Sequence, residues 1–317
     1  MTGVGVETLA GDSVPGSFNG GRDVAHFSNP VNVALGSDGQ IYVADFDNGL
    51  IRRVTSSGDV STFVSAATFM RPFGLTFAPD GKLWVQTDYS TSGGSDGALW
   101  SVDASGAATL ALDQLGRPRG LASLSDGRIV LAFFLEHRLS LYNPANQQLT
   151  PLAGSDSGVA ALVNATGSSA RFSGPYGVAV TSGGDILVAD SGNHVIRKVT
   201  IAGEVTTFAG SGADAVTDGA LHSAAFSHPQ GLAIDSNDNV YVSETGGNVI
   251  RKLAAGQVST IAGDGSQGFA DASNALQAQF YGLEGIAVSP DGRLLYVADG
   301  NRGDDSAHHR VRVIHLN

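Results

Sequence analysis

An all-β ring of six four-stranded antiparallel blades, a β-propeller, is the fold class that the sequence predicts, on three observations. Residues 172–210 hold four short runs rich in β-branched residues, at 177–180, 186–189, 194–199 and 205–208, each bounded by Gly, Asp, Asn or Pro. The unit recurs, with Pro30, Pro72, Pro118, Pro175, Pro229 and the equivalent Leu283 marking copies that start every 42 to 57 residues. The two chain ends complement each other: residues 4–11 (VGVETLAG) match only the last strand of the unit, and the sixth copy stops after three strands. Strand 4–9 is therefore expected to pair with 310–316 and close the ring, leaving no unpaired edge at the seam.

The copies follow in order. The first, 27–63, carries Asp38-Gly39 at its first turn, then Tyr42-Val43-Ala44-Asp45 and Ile51-Arg52. The second, 69–110, keeps Pro79-Asp80-Gly81 but places Trp100 where the unit has Arg. The third, 115–154, keeps Asp126-Gly127, with Phe133 in place of the Asp and Ser140 in place of the Arg. The fourth is the unit itself, with Asp190 and Arg197. The fifth, 226–263, substitutes Glu244 for the Asp and keeps Arg251, and the sixth begins at Phe280 and reads Tyr296-Val297-Ala298-Asp299. With no linker or change of composition along it, the whole chain, 1–317, reads as a single domain.

Composition narrows the function classes. A net charge of −12 is ill suited to binding along a phosphate backbone, so a nucleic-acid partner is not expected. The absence of Cys removes disulfides, thiolate metal sites and thiol nucleophiles. No run of eighteen apolar residues exists, so no membrane span is expected. The first residues lack the basic start and apolar stretch of a signal peptide. That leaves a secreted or periplasmic place if a leader has been removed, and a cytoplasmic one otherwise. A monomer is expected.

The pattern F-x-x-P-x-G, then D-G, then Y-V-A-D-x-x-N-H-x-I-R, then V-T-T-F-A-G resembles the NHL repeat over nearly the whole chain, most closely in copies one, four, five and six. The resemblance implies a six-bladed propeller whose relatives range from protein- and RNA-interaction modules to enzymes. The similar gluconolactonase-like enzymes hold a divalent metal on Glu, Asn and Asp around the axis, and Glu284 and Asn32 stand near such places. The similar amidating lyases hold zinc on several His, of which only His228 falls at the corresponding ring.

In a propeller the inter-blade linkers share a face with the loops between second and third strands. Turns on the other face are minimal, whereas the linker face carries the long segments 155–171, 211–225 and 264–279 and the insertions 89–97 and 300–309. Length above the minimum points to binding on the linker face. Linkers 64–68 and 111–114 are short, so the rim is expected to be low over blades two and three.

A feature that recurs at one spacing from blade to blade is structural, and the Asp and Arg of the unit are assigned to the fold. Positions that differ between blades are the functional candidates. The x of P-x-G forms a ring at the channel mouth: Val31, Phe73, Arg119, Tyr176, Gln230 and Glu284. The residue before the Pro varies too: Asn29, Arg71, Arg117, Gly174, His228 and Gly282. Arg71, Arg117 and Arg119 lie on adjacent blades and are expected to cradle an anion or carboxylate, with Asn29, Asn32, Phe73, Phe134 and Gln230 as further ligand contacts. Phe133, Phe134 and Leu135 are expected either to wall that groove or to belong to the core. Tyr176, His228 and Glu284 are the candidate acids and bases if the chain is an enzyme, a lactonase-like hydrolase or a lyase. A divalent cation in the axial pocket is the one cofactor that this alternative invokes. His308, His309, Asp304 and Asp305 resemble a metal cluster in composition and are assigned to a solvated loop. The leading expectation is a binding propeller that engages a small anionic ligand, a peptide or a protein on the linker face.

Overall fold

The computed structural model describes residues 5–304 and 306–316. Six sheets stand in a ring. Blade one comprises Pro30–Leu35, Ile41–Asp45, Leu50–Val54 and Val60–Val64, and blade two Pro72–Phe77, Leu83–Thr87, Ala98–Val102 and Ala108–Asp113. Blade three comprises Pro118–Ser123, Ile129–Phe133, Arg138–Asn143 and Gln148–Gly154, and blade four Pro175–Val180, Ile186–Asp190, Val195–Val199 and Val205–Ala209. Blade five comprises Pro229–Ile234, Val240–Glu244, Val249–Ala254 and Gln257–Ala262, extended at its outer edge by the linker strand Gly219–Ala220. That fifth strand is not legible in the repeat. Blade six is Leu283–Val288, Leu294–Asp299 and His309–His315, completed by Val6–Asp12.

The closing strand pairs antiparallel with the end of the chain, from Val6 opposite Ile314 to Asp12 opposite His309. The sequence places this strand at 4–9; it runs three residues further, and Val4 lies outside the described residues.

Each seam between neighbouring blades holds its own apolar core, and the repeat's Phe anchors five of the six: Phe27, Phe69, Phe172, Phe226 and Phe280 are all buried there. The Gly of P-x-G explains itself at the axis. A Cβ on Gly120 would stand 2.1 Å from the Tyr176 carbonyl oxygen, and one on Gly177 2.1 Å from that of Gln230. Only glycine lets the inner strands approach this closely.

The repeated Asp and Arg form a buried clamp. Asp45 accepts from Arg52 Nη1 at 2.8 Å and from the Ser28 backbone N–H at 2.7 Å, while Arg52 also donates to the His26 and Phe18 carbonyls and lies over the Phe27 ring. Asp190 with Arg197, Glu244 with Arg251 and Asp299 with Arg312 repeat the arrangement. Every one of these Arg also grips the long linker that precedes its blade, at residues 18–19, 163–164, 217–218 and 270–271. Blades two and three have no long linker to grip. There Thr87 and Trp100 replace the ion pair with a neutral hydrogen bond at 3.0 Å, the indole set against Phe69, and Phe133 with Ser140 replaces it with buried apolar surface. The departures of these blades from the motif thus go with their short linkers.

Candidate functional site

The axial channel, about 330 Å³, is lined by the six inner strands. Arg119, Tyr176 and Glu284 lie around its linker-side end, contributed by blades three, four and six. The Tyr176 hydroxyl donates to Glu284 Oε1 at 3.2 Å. Its ring stands edge-on between Phe73, at 5.8 Å, and Phe134, at 5.7 Å, and the Arg119 guanidinium lies 4.1 Å from the centre of the Phe73 ring. Protein surrounds Glu284 on every side but the channel. Burial pushes its carboxyl up to about 7, against the pull of Arg119 and of the Tyr176 hydrogen bond. Burial likewise raises Tyr176, which stays a donor at neutral pH.

Arg117 and Arg119 do converge, as their positions on neighbouring blades suggest, but what they hold is part of the chain. Asp88, buried at the start of the 88–97 loop, accepts from Arg119 Nη1 at 2.6 Å on one oxygen and from Arg117 Nη2 at 2.6 Å on the other. Arg119 Nη2 completes a fork at 3.2 Å, and Gln86 Nε2 adds a fourth contact at 3.1 Å. Burial alone would raise the Asp88 carboxyl; the two guanidinium groups outweigh it and hold the group below its usual range. The expected cradle for an external carboxylate is filled by this internal one.

Several other expected contacts are also redistributed. Asn29 is buried and structural: its backbone N–H donates to His309 Nδ1 at 3.1 Å and its Oδ1 accepts from the Asn301 backbone at 3.1 Å. His228 does not join Tyr176 and Glu284. The residue before each strand-opening proline sits in the left-handed region at Asn29, Arg71 and His228, with φ of 54°, 54° and 49°, and its side chain departs from the ring that the next-but-one residue joins. His228 instead packs edge-on against His194, with ring centres 4.6 Å apart. His308 stacks on Tyr281 and His309 is buried at the blade-one seam, so the two do not form a cluster with Asp304; Asp305 lies outside the described residues. The run 133–135 divides, with Phe133 buried in the core, Phe134 half-buried against Tyr176 and Leu135 exposed.

Arg71 is the cation left over. It is exposed, lies between the rings of Phe46 and Tyr89 at 5.3 Å from each, and makes no ion pair among the described residues. Phe46 in turn meets Phe73 edge-on at 5.9 Å. A run of aromatic contacts therefore leads from Phe46 through the buried Phe73 and Tyr176 to the half-buried Phe134, with the free guanidinium of Arg71 between Phe46 and Tyr89 at its outer end. Gln230 stands beside the channel with its side-chain oxygen buried and unpartnered among the described residues.

The raised Glu284 predicts a pH dependence. A carboxyl with a folded value of about 7 contributes stability that is complete below its unfolded value, about 4.3, and lost as pH rises through 7. Glu284→Gln removes this loss. Unfolding at pH 5 should be nearly unchanged by the substitution, whereas at pH 8 the variant should be more stable by about 1–2 kcal/mol, a figure reduced for water reaching the group through the channel. Guanidinium melts of the two proteins across that range measure the difference; a gap that does not widen with pH contradicts the assignment.

Among the described residues no helix is long and apolar enough to cross a membrane. The sequence model described as Teneurin NHL domain matches residues 12–218. The chain is 28% identical over 271 residues to the protein SUPPRESSOR OF QUENCHING 1, chloroplastic, of Arabidopsis thaliana, which covers 78% of this chain and 22% of that protein. It is 39% identical over 85 residues to human NHL repeat-containing protein 2, covering 26% of this chain and 12% of the relative. The chain thus spans less than a quarter of the length of either relative. Among solved structures, a protein of unknown function from Bacteroides thetaiotaomicron superposes with a TM-score of 0.78 at 20% identity, over 99% of this chain and 76% of that one. A gluconolactonase from Xanthomonas campestris gives 0.66 at 14% identity, over 99% and 90%. A virginiamycin B lyase from Staphylococcus aureus gives 0.59 at 15%, over 93% and 84%. At these identities the superpositions speak for the fold alone. With its six blades, its repeated clamp and its match to the family model over residues 12–218, the chain belongs to the Teneurin NHL domain family of NHL-repeat propellers.

Proposed function

We propose that this propeller binds a protein or peptide segment on its linker face, over blades two and three, and that a carboxylate of the partner meets Arg71. The free guanidinium between Phe46 and Tyr89, at the outer end of the aromatic run on the low side of the rim, is the observation that carries this reading. Aromatic anchors beside an unpaired Arg are the composition of binding hot spots. The overall charge of −12 disfavours nucleic acid here, and Arg71 supplies a local exception that suits an acidic side chain or a chain terminus.

Selection from a displayed peptide library against the full chain tests the proposal. Binders should carry a carboxylate near aromatic or aliphatic residues. Arg71→Asn, which copies the residue found at this place in blade one, and Leu135→Ser should each weaken them at least about tenfold, roughly 1.4 kcal/mol, with an unchanged unfolding midpoint. Binders indifferent to both substitutions would place the surface elsewhere.

A second reading, an enzyme working in the channel, has one observation of its own: a carboxyl near pKa 7 hydrogen-bonded to a tyrosine and facing a cavity large enough for a small substrate. Glu284 would take or give the proton and Tyr176 would orient it. The divalent cation that belongs to this reading would take Glu284 and Asn32. Asn32 Oδ1, however, already accepts from the Val33 N–H at 2.9 Å, and the guanidinium of Arg119 stands in the same ring, so the donor set favours an acid-base route without a metal. Turnover of a panel of lactones that vanishes in Glu284→Gln would replace the binding reading with this one.

A further inference from the structure

Away from the channel, on the linker side of the seam between blades four and five, three side chains bring one donor atom each to a common point. His194 ends the turn between the second and third strands of blade four, His228 precedes the first strand of blade five, and Asp214 lies in the linker between the blades. Asp214 Oδ1 is 3.7 Å from His194 Nδ1 and 3.8 Å from His228 Nδ1, and all three donors lie within 4.8 Å of one another. Tetrahedral coordination with bonds of about 2.0–2.1 Å places its donors about 3.3–3.4 Å apart. The two Asp214 contacts would contract by a few tenths of an ångström, and the histidine pair, held within 4.8 Å, would close further to seat an ion.

The surroundings suit such an ion. Ser227 Oγ donates to Asp214 Oδ1 at 2.7 Å and fixes that oxygen toward the histidines, as an outer-shell partner orients a ligating carboxylate. His194 Nδ1 accepts from the His228 backbone N–H at 3.3 Å; the contact is long, and an ion would take its place on that nitrogen. His194 is mostly buried, and His228 and Asp214 are about half exposed, so an ion could enter and keep at least one position open to water. His194 and His228 are held at equivalent left-handed backbone positions, φ 57° and 49°, which limits the freedom lost on binding.

We propose that His194, Asp214 and His228 form a zinc-type site, two imidazoles and one carboxylate around a borderline transition ion with an open coordination position. Two nitrogen donors and one oxygen exclude a hard-cation preference for Ca²⁺ or Mg²⁺. An ion there would bridge blade four, the linker and blade five, and would present its open position on the linker face.

The test is a calorimetric titration of the full chain, first dialysed against EDTA and then freed of it, with zinc sulfate, calcium chloride and magnesium chloride. Zinc should bind at one ion per chain and the other two should give no heat. Asp214→Asn keeps the acceptor for Ser227 and sits on an exposed linker. His228→Asn copies the residue that occupies this place in blade one. Each should weaken zinc at least about tenfold, with the metal-free unfolding midpoint unchanged in Asp214→Asn. Substitution with Co²⁺ should give the intense visible bands of a tetrahedral ion in the wild type and lose them in both variants. A wild type that takes up less than about half an equivalent of zinc, or variants that bind it as tightly as the wild type, would overturn the proposal.

Discussion

Replacing Arg117 and Arg119 together by Gln is expected to lower the free energy of unfolding by about 3–5 kcal/mol, because it strands a buried carboxylate. Asp88 is 3% exposed in its side chain and takes three of its four contacts from these two residues. Arg119 is the stronger partner, forked and only 14% exposed, so Arg119→Gln alone should account for most of the loss; Arg117, at 37%, is screened by water and contributes less. Urea unfolding with an unchanged m-value measures the effect. Adding Asp88→Asn to the double variant should return much of the stability, since the uncompensated charge is then gone. The wild-type contribution of Asp88, whose carboxyl is held low, is present at pH values above its unfolded value, about 3.9, and is lost only as pH falls through the folded one. A double variant as stable as the wild type at pH 7 would show that the two Arg are free for a ligand after all.

The second large effect concerns ring closure. Deleting residues 1–11 should cost about 3–6 kcal/mol from the burial of Val6 and Leu9 alone, which are 3% and 4% exposed. The strand does more than fill space. Six of its positions pair with the end of blade six, and the Thr8 backbone N–H donates to Asp271 at 2.9 Å, the same carboxylate that Arg312 grips from within the blade. Without the strand, blade six presents an open edge, and aggregation on heating should accompany the lower melting temperature. A truncated chain that melts with the wild type would refute closure through this strand.

Fold and site were unequally legible. The blades could be read because most of them demand the same residues: a Phe for the seam in five, a Gly where inner strands nearly touch, and an acid with Arg for the linker clamp in four. The channel pair could be read as well, since Tyr176 and Glu284 are variable positions that a fixed geometry brings to one axis. Asp88 could not, for it stands one residue beyond the repeat's Asp position. Thr87 pairs with Pro72 as Asp45 pairs with Pro30, so the register fills that position with Thr. The one-residue offset turns the carboxylate from the linker clamp toward the arginines, and only the dense cationic pattern of Arg117 and Arg119 in an acidic chain hinted that a partner must exist. His228 was misplaced because the motif gives its sequence neighbourhood but not its left-handed backbone, which sends the side chain to His194. The aromatic run went unread as a unit because its members come from four blades and from both strands and loops.

The linker face over blades two and three is the proposed binding surface. The most direct measurement is the affinity of library-selected peptides for three proteins of equal stability: the wild type, the variant with both Arg71→Asn and Leu135→Ser, and a control with Asp80→Ser on the short-turn face. Two tenfold effects, added as independent sites on different blades, give an expected loss of about a hundredfold in the first variant, with none in the control. Unchanged affinity in the Arg71 and Leu135 variant would contradict this placement.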